Sequence, residues 1–264
     1  MNPHTAAAIA QIVFYVPAVP VALYLCIRNW KYGPRMAWYP AVPFTLIRLA
    51  GGILTIVEEQ NQGNIGIIIA TIVLLNIGLI PLITTFSAIV RLILQDNFKN
   101  ERWVPKFLRL VRWNIIAAIA LLSTAGGFSG QTGTSSTGST LSIVAYVQFA
   151  AVLVALAALC LVLYFGKRDR IRAGDETYLK YLLLAIIPLF VRTAYGLVAV
   201  FEVRAHGILN TIWSSLFGSA VLFALMALLP EYIALVLYFR LGFYRMQTCK
   251  RDAVSEAPKS SDGA

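Results

Sequence analysis

Charge is scarce in this sequence. Only 13% of its 264 residues are Asp, Glu, Lys or Arg and 59% are hydrophobic, whereas a soluble domain is roughly a quarter charged and half apolar. That shortage excludes a water-soluble domain and makes the bilayer the solvent. Histidine and cysteine are also rare, with two of the first (His4, His206) and three of the second (Cys26, Cys160, Cys249). Both histidines fall in terminal or loop positions and read as solvated polar groups. The cysteines are spread over two apolar runs and the C-terminal tail, so neither a disulfide framework nor a metal cluster is offered. Cys249, next to the last run, reads as a plain thiol, with palmitoylation as the alternative. Also missing are DDxxD and DxDD carboxylate motifs, HExxH, GxSxG and a Walker loop. Motif-borne metal hydrolysis, acyl transfer and ATP-driven transport drop out, and no metal or cofactor is expected.

What the chain does have is long apolar runs. A hydrocarbon core of about 30 Å takes roughly 20 helical residues, and seven runs approach or exceed that: 6–27, 41–57, 65–90, 111–127, 141–165, 181–201 and 210–239. The expected fold is all-α: a seven-helix transmembrane domain over 1–240, then a basic and finally disordered cytoplasmic tail over 241–264. The formal charge of +10 does not indicate nucleic acid, because the cations lie between apolar runs and not on one soluble face. Three of the 22 Lys and Arg residues fall in 28–35, six in 91–112, five in 167–180 and five from 240 onward. With seven spans these 19 share one side, which the positive-inside rule makes the cytoplasm. The N-terminus is then lumenal or exterior, as is the Gly/Ser/Thr-rich stretch 129–140, which reads as a flexible loop. Without a basic segment before the first run no cleavable signal is expected, and an endoplasmic-reticulum membrane is the expected location.

An internal repeat stands out. Arg48-Leu-Ala-Gly-Gly52-Ile-Leu-Thr-Ile-Val-Glu58 and Arg192-Thr-Ala-Tyr-Gly196-Leu-Val-Ala-Val-Phe-Glu202 share R-x-A-x-G-[IL]-x-x-[IV]-x-E, with Pro43 and Pro188 just upstream. Pro81 precedes Arg91, and Pro230 precedes Arg240, by ten residues each. Spans one to three and five to seven therefore read as parallel copies joined by span four, a 3+1+3 bundle.

Charges inside a span cost about 2.5 to 3.5 kcal/mol each on insertion scales and usually face a partner in the bundle. Arg48, Arg192 and Glu231 lie well inside their spans, while Glu58 and Glu202 close the lumenal ends of theirs. At about 1.5 Å per residue, the first three share a similar depth. Arg48 and Glu58 are about 15 Å apart along one helix, too far to pair, which makes Glu231 the natural partner of both arginines. Pro230 frees the carbonyl near Met226, and such a group lines a cavity or bonds a neighbour. A central polar cavity between spans two, six and seven is expected. A carboxyl group in apolar surroundings favours its protonated form, as a general acid requires, so Glu231, Glu58 and Glu202 are the candidate catalytic residues. Arg48, Arg192, Tyr195 and Trp213 are the candidate substrate-binding residues, the aromatic rings because their faces stabilise cations.

On these positions the chain resembles the fungal membrane-bound terpene cyclases of meroterpenoid pathways, of the ascochlorin, ascofuranone and macrophorin type. The likeness is one of architecture and charged positions and covers all but about the last fifteen residues. It implies an enzyme that protonates an epoxide or olefin on a farnesyl chain and closes a ring without metal. Its partners would be a prenylated small molecule, the lipid bilayer and other pathway enzymes, with no nucleic acid. The same segments resemble the fungal seven-span lipid-translocating exporters, in which an Arg in span six, a Glu after it and an acid early in the last span recur, as Arg192, Glu202 and Glu231 do here. That resemblance implies a lipid or drug pathway gated by the charged residues. A seven-helix receptor would be expected to carry a retinal Lys or paired lumenal cysteines, and neither is present.

Overall fold

Inside a bilayer the backbone has no water to bond, so each apolar run must satisfy its peptide groups within a helix. The computed structural model describes residues 2–29, 37–61, 64–98, 101–128, 135–166, 171, 173–207 and 210–255, of which 135, 173 and 249–255 are described in backbone only. Lys31, Arg35, Lys99, Lys167, Arg168, Arg170, Arg172, Lys259 and the stretch 129–134 lie outside the described residues, as do the side chains of Cys249, Lys250 and Arg251.

The described elements run α1 (Pro3–Asn29), α2 (Ala41–Gln60), α3 (Ile65–Ile77), α4 (Leu79–Asn97), α5 (Trp103–Phe128), α6 (Ser135–Leu161), α7 (Ala173–His206), α8 (Ala220–Phe223) and α9 (Leu229–Ser255). Wider π-type turns extend α6 through Val162–Gly166 and join α8 to α9 through Ala224–Leu228. There is no strand among the described residues. Taking α3 with α4 and α8 with α9, seven helices are long and apolar enough to cross a membrane, so this is an all-α, polytopic membrane protein. Large apolar side chains such as Val13, Ile27, Leu110, Trp113, Phe165 and Ile187 cover its outer surface, as a lipid-facing protein requires.

α4 is the central element. It packs on α2, α5, α6, α7 and α9, and Leu82, Ile83, Phe86, Ile89, Val90 and Ile93 along it are buried. Polar side chains within the spans bond their own helices: Thr55 Oγ1 donates to Gly51 O (2.9 Å), Thr71 to Ile67 O (2.8 Å) and Thr193 to Leu189 O (2.7 Å). Such back-bonding keeps a hydroxyl satisfied where no water reaches. At the C-terminal face, Arg245 reaches Asp96 (3.3 Å) and Asn97 donates to Asp175 (2.6 Å), tying α4, α7 and α9 together.

Several boundaries differ from the expected ones. The seventh span begins at Ala220, and 210–219 forms a non-helical segment whose Thr211, Ser214, Ser215 and Leu216 are buried. Serine hydroxyls outcompete the helix there: Ser214 Oγ accepts from Phe217 N (3.3 Å), Ser219 Oγ caps Leu222 N (3.4 Å), and Ser219 N donates to Ile212 O (2.9 Å). Non-helical backbone is tolerated at such depth because protein covers it. α5 starts at Trp103, and Ser135–Thr140 is the first part of α6, not loop; Thr140 Oγ1 bonds back to Ser136 O (2.9 Å). α9 runs on to Ser255, so the basic part of the expected tail continues the helix.

Candidate functional site

A π-type turn and a one-residue interruption of a helix meet at one carboxylate. Pro230 has no N–H to give to the carbonyl of Met226, and the chain widens into the π-type turn Ala224–Leu228 just before Glu231. Across from it, α3 ends at Ile77 and α4 begins at Leu79, with the guanidinium of Arg48 against the intervening Gly78. A Cβ at Gly78 would lie 2.7 Å from Arg48 Cζ and Nε, so any larger residue there displaces the guanidinium.

Arg48 of α2 and Arg192 of α7 both reach Glu231 Oε1, Arg48 through Nη2 and Arg192 through Nε at 2.5 Å. All three side chains are 0% exposed. Both guanidiniums also donate to the carbonyl of Leu75, Arg48 Nη1 at 3.0 Å and Arg192 Nη2 at 3.5 Å. On the other side Gln11 of α1 donates to Arg48 O (2.5 Å). Two cations and one anion leave the cluster with a net charge of +1. Arg48 Nε, Arg192 Nη1, Glu231 Oε2 and the hydroxyls of Tyr15 and Tyr146 are buried there without a hydrogen-bond partner. Tyr146 lies against Gly196, where a Cβ would sit 2.9 Å from its Cζ; this is the glycine of the second repeat segment.

The expected cavity between spans two, six and seven does not coincide with the one the structure shows. A cavity of about 430 Å³ lies nearer the N-terminal face, lined by Asn2, His4, Thr5, Thr55, Glu58, Glu59, Ile68, Leu216 and Phe217. It belongs to α1, α2, α3 and the segment before α8, and Thr55 on its floor is about 10 Å along α2 from Arg48. His4 Nε2 pairs with Gly218 O (2.9 Å), and Thr5 Oγ1 donates to Glu59.

The three expected acids are therefore dispersed. Glu231 sits in the cluster, where it accepts from two guanidiniums, and Glu58 lines the cavity. Glu202 pairs with His206 on the last turn of α7 (3.1 Å) with its side chain 39% exposed, away from both. Tyr195 and Trp213 do meet: their rings are 5.9 Å apart, Tyr195 Oη donates to Trp213 O (3.0 Å), and Arg192 Cζ lies 5.8 Å from the Tyr195 ring centre. They anchor the 210–219 segment to α7 and back the arginine. Sequence reasoning missed Gln11, Leu75, Gly78, Tyr146 and the Asn2–Thr5 end of the cavity. Gln11 in an apolar run, and Gly78 three residues before Pro81 in mid-span, were the available signals.

Comparison with curated proteins gives no match, and comparison with solved structures gives none. A family model described as "Domain of unknown function (DUF7702)" matches residues 1–248, and with nearly the whole chain covered the protein belongs to that family.

Proposed function

We propose that this protein is a seven-span translocator that carries an amphipathic small molecule or lipid between the faces of its membrane, with Arg48, Glu231 and Arg192 as its gate. One observation carries the reading: a fully buried ion cluster sits beside a one-residue interruption of one span and a π-type turn of another, below a cavity nearer one face. Charged side chains buried within a span mark substrate or ion pathways, and π-type turns are frequent at functional sites. The Lys and Arg distribution supports an N-terminus that is lumenal or exterior and a cytoplasmic C-terminus, in the endoplasmic reticulum or a membrane derived from it.

The test is reconstitution of the full chain in liposomes holding a short-chain fluorescent phospholipid, with dithionite quenching from outside. Translocation quenches nearly all the fluorescence; half remaining, as in protein-free vesicles, rejects the reading.

Glu58 and Glu59 favour a second one, the metal-free terpene cyclase. Both carboxyl groups line the cavity with apolar Ile68, Leu216 and Phe217, the pairing of acid and apolar wall that protonation of a prenyl chain uses. In that case microsomes holding the protein convert a farnesylated phenol or its terminal epoxide into an isomer of unchanged mass, and Glu58→Gln abolishes the product. Unaltered substrates exclude it.

A further inference from the structure

The ion cluster has an imbalance that a purely structural ion pair would not need. Two guanidiniums face one carboxylate in a site with no solvent exposure, and uncompensated buried charge is strongly unfavourable. The unmet groups are mostly able to donate. Arg48 Nε, Arg192 Nη1 and the hydroxyls of Tyr15 and Tyr146 lack partners, against one unmet carboxylate oxygen, Glu231 Oε2. They come from α2, α7, α1 and α6. Tyr15 lies within electrostatic reach of Glu231, Arg48 and Arg192, and Tyr146 within reach of Arg192. What they lack is an oxyanion.

Resting on the translocator reading, we infer that the cargo is a monoanionic amphipath, a single oxyanion head on an apolar body, which joins Glu231 between the two arginines. The charges then balance. Without cargo the cluster holds two cations and one carboxylate, a net +1; with cargo it holds two cations and two anions and is neutral. The head leaves the cavity past Thr55 and Gly51, which lie between the cavity and Arg48 on the same helix. The apolar body stays among the side chains beside it. The charged groups against Glu231 are Arg48 from α2 and Arg192 from α7, with Tyr15 of α1 within reach of all three; Tyr146 of α6 and Tyr195 of α7 stand behind Arg192.

Dihexanoyl phosphatidylglycerol, whose phosphodiester stays monoanionic across neutral pH, is the probe, and dihexanoyl phosphatidylcholine is its zwitterionic control. Affinity for the purified full chain is read from thermal stabilisation in detergent. The anionic lipid stabilises and the zwitterion does not. In Glu231→Gln, which removes the competing anion, the anionic lipid binds more tightly; should that variant not fold, the comparison of the two lipids decides alone. Equal stabilisation by both lipids, or loss of binding in a folded Glu231→Gln, overturns the inference. Inorganic phosphate matching the lipid overturns the amphipathic part. In the liposome assay, equal translocation of both headgroups removes this inference and leaves the translocator standing, whereas no translocation of either removes both.

Discussion

Arg48 and Arg192 recur at matching places in the two repeat segments, yet their surroundings differ. Arg48 holds Leu75 O at 3.0 Å, and Arg192 reaches it only at 3.5 Å. Replacing either with Gln removes one donor to a buried carboxylate, and breaking a buried pair costs about 3 to 5 kcal/mol. Both variants should melt well below wild type in detergent, with Arg48→Gln the lower. Equal melting temperatures would show that the Leu75 bond contributes nothing. The acids are expected to behave differently: Glu202→Gln breaks a half-exposed pair, worth about 0 to 1 kcal/mol at most, and leaves transport intact, while Glu58→Gln keeps stability within about 0.5 kcal/mol and slows transport. Reversal of that order in the liposome assay would put the working surface at the end of α7. These residues were legible in the sequence because a charge inside an apolar run is conspicuous. The Leu75 carbonyl was not, since any residue type supplies one.

At the level of elements, the two glycines in contact with the cluster limit how closely helices approach. A Cβ at Gly78 meets the Arg48 guanidinium, and one at Gly196 meets the Tyr146 ring. Overpacking of this kind costs about 1 to 3 kcal/mol, so Gly78→Ala and Gly196→Ala should each lower the melting temperature. Gly78→Ala alone should impair transport more than stability, because it displaces the gate arginine. Transport unchanged in Gly78→Ala would detach Arg48 from gating. Helix count was readable from apolar length, since the bilayer sets a minimum of roughly 20 residues. Helix ends were not. Hydropathy scores Trp213, Leu216 and Phe217 as membrane-spanning, while the serines beside them close turns with their hydroxyls. This misreading also put the cavity in the wrong place, because Leu216 and Phe217 line it only once 210–219 folds as a non-helical segment.

For the whole molecule, the proposed orientation, with the termini on opposite sides of the membrane, is open to direct test. A glycosylation acceptor inserted in the stretch 129–134 should be modified in microsomes, and a C-terminal epitope should be cut by added protease. An unmodified acceptor with a protected epitope would invert the topology. Orientation decides which compartment the Glu58 cavity serves, and so whether cargo is loaded from the lumen or delivered to it.

The seating of the first residues also decides how the protein can be handled. Asn2, His4 and Thr5 form part of the cavity wall, and His4 and Thr5 are fastened to Gly218 and Glu59. Anything fused ahead of them is held at the mouth of the cavity, so an affinity handle or fluorescent protein at that end acts as a tethered inhibitor. The same fusion after Ala264 is the control, and the activity lost between the two versions measures how much traffic passes the N-terminal end.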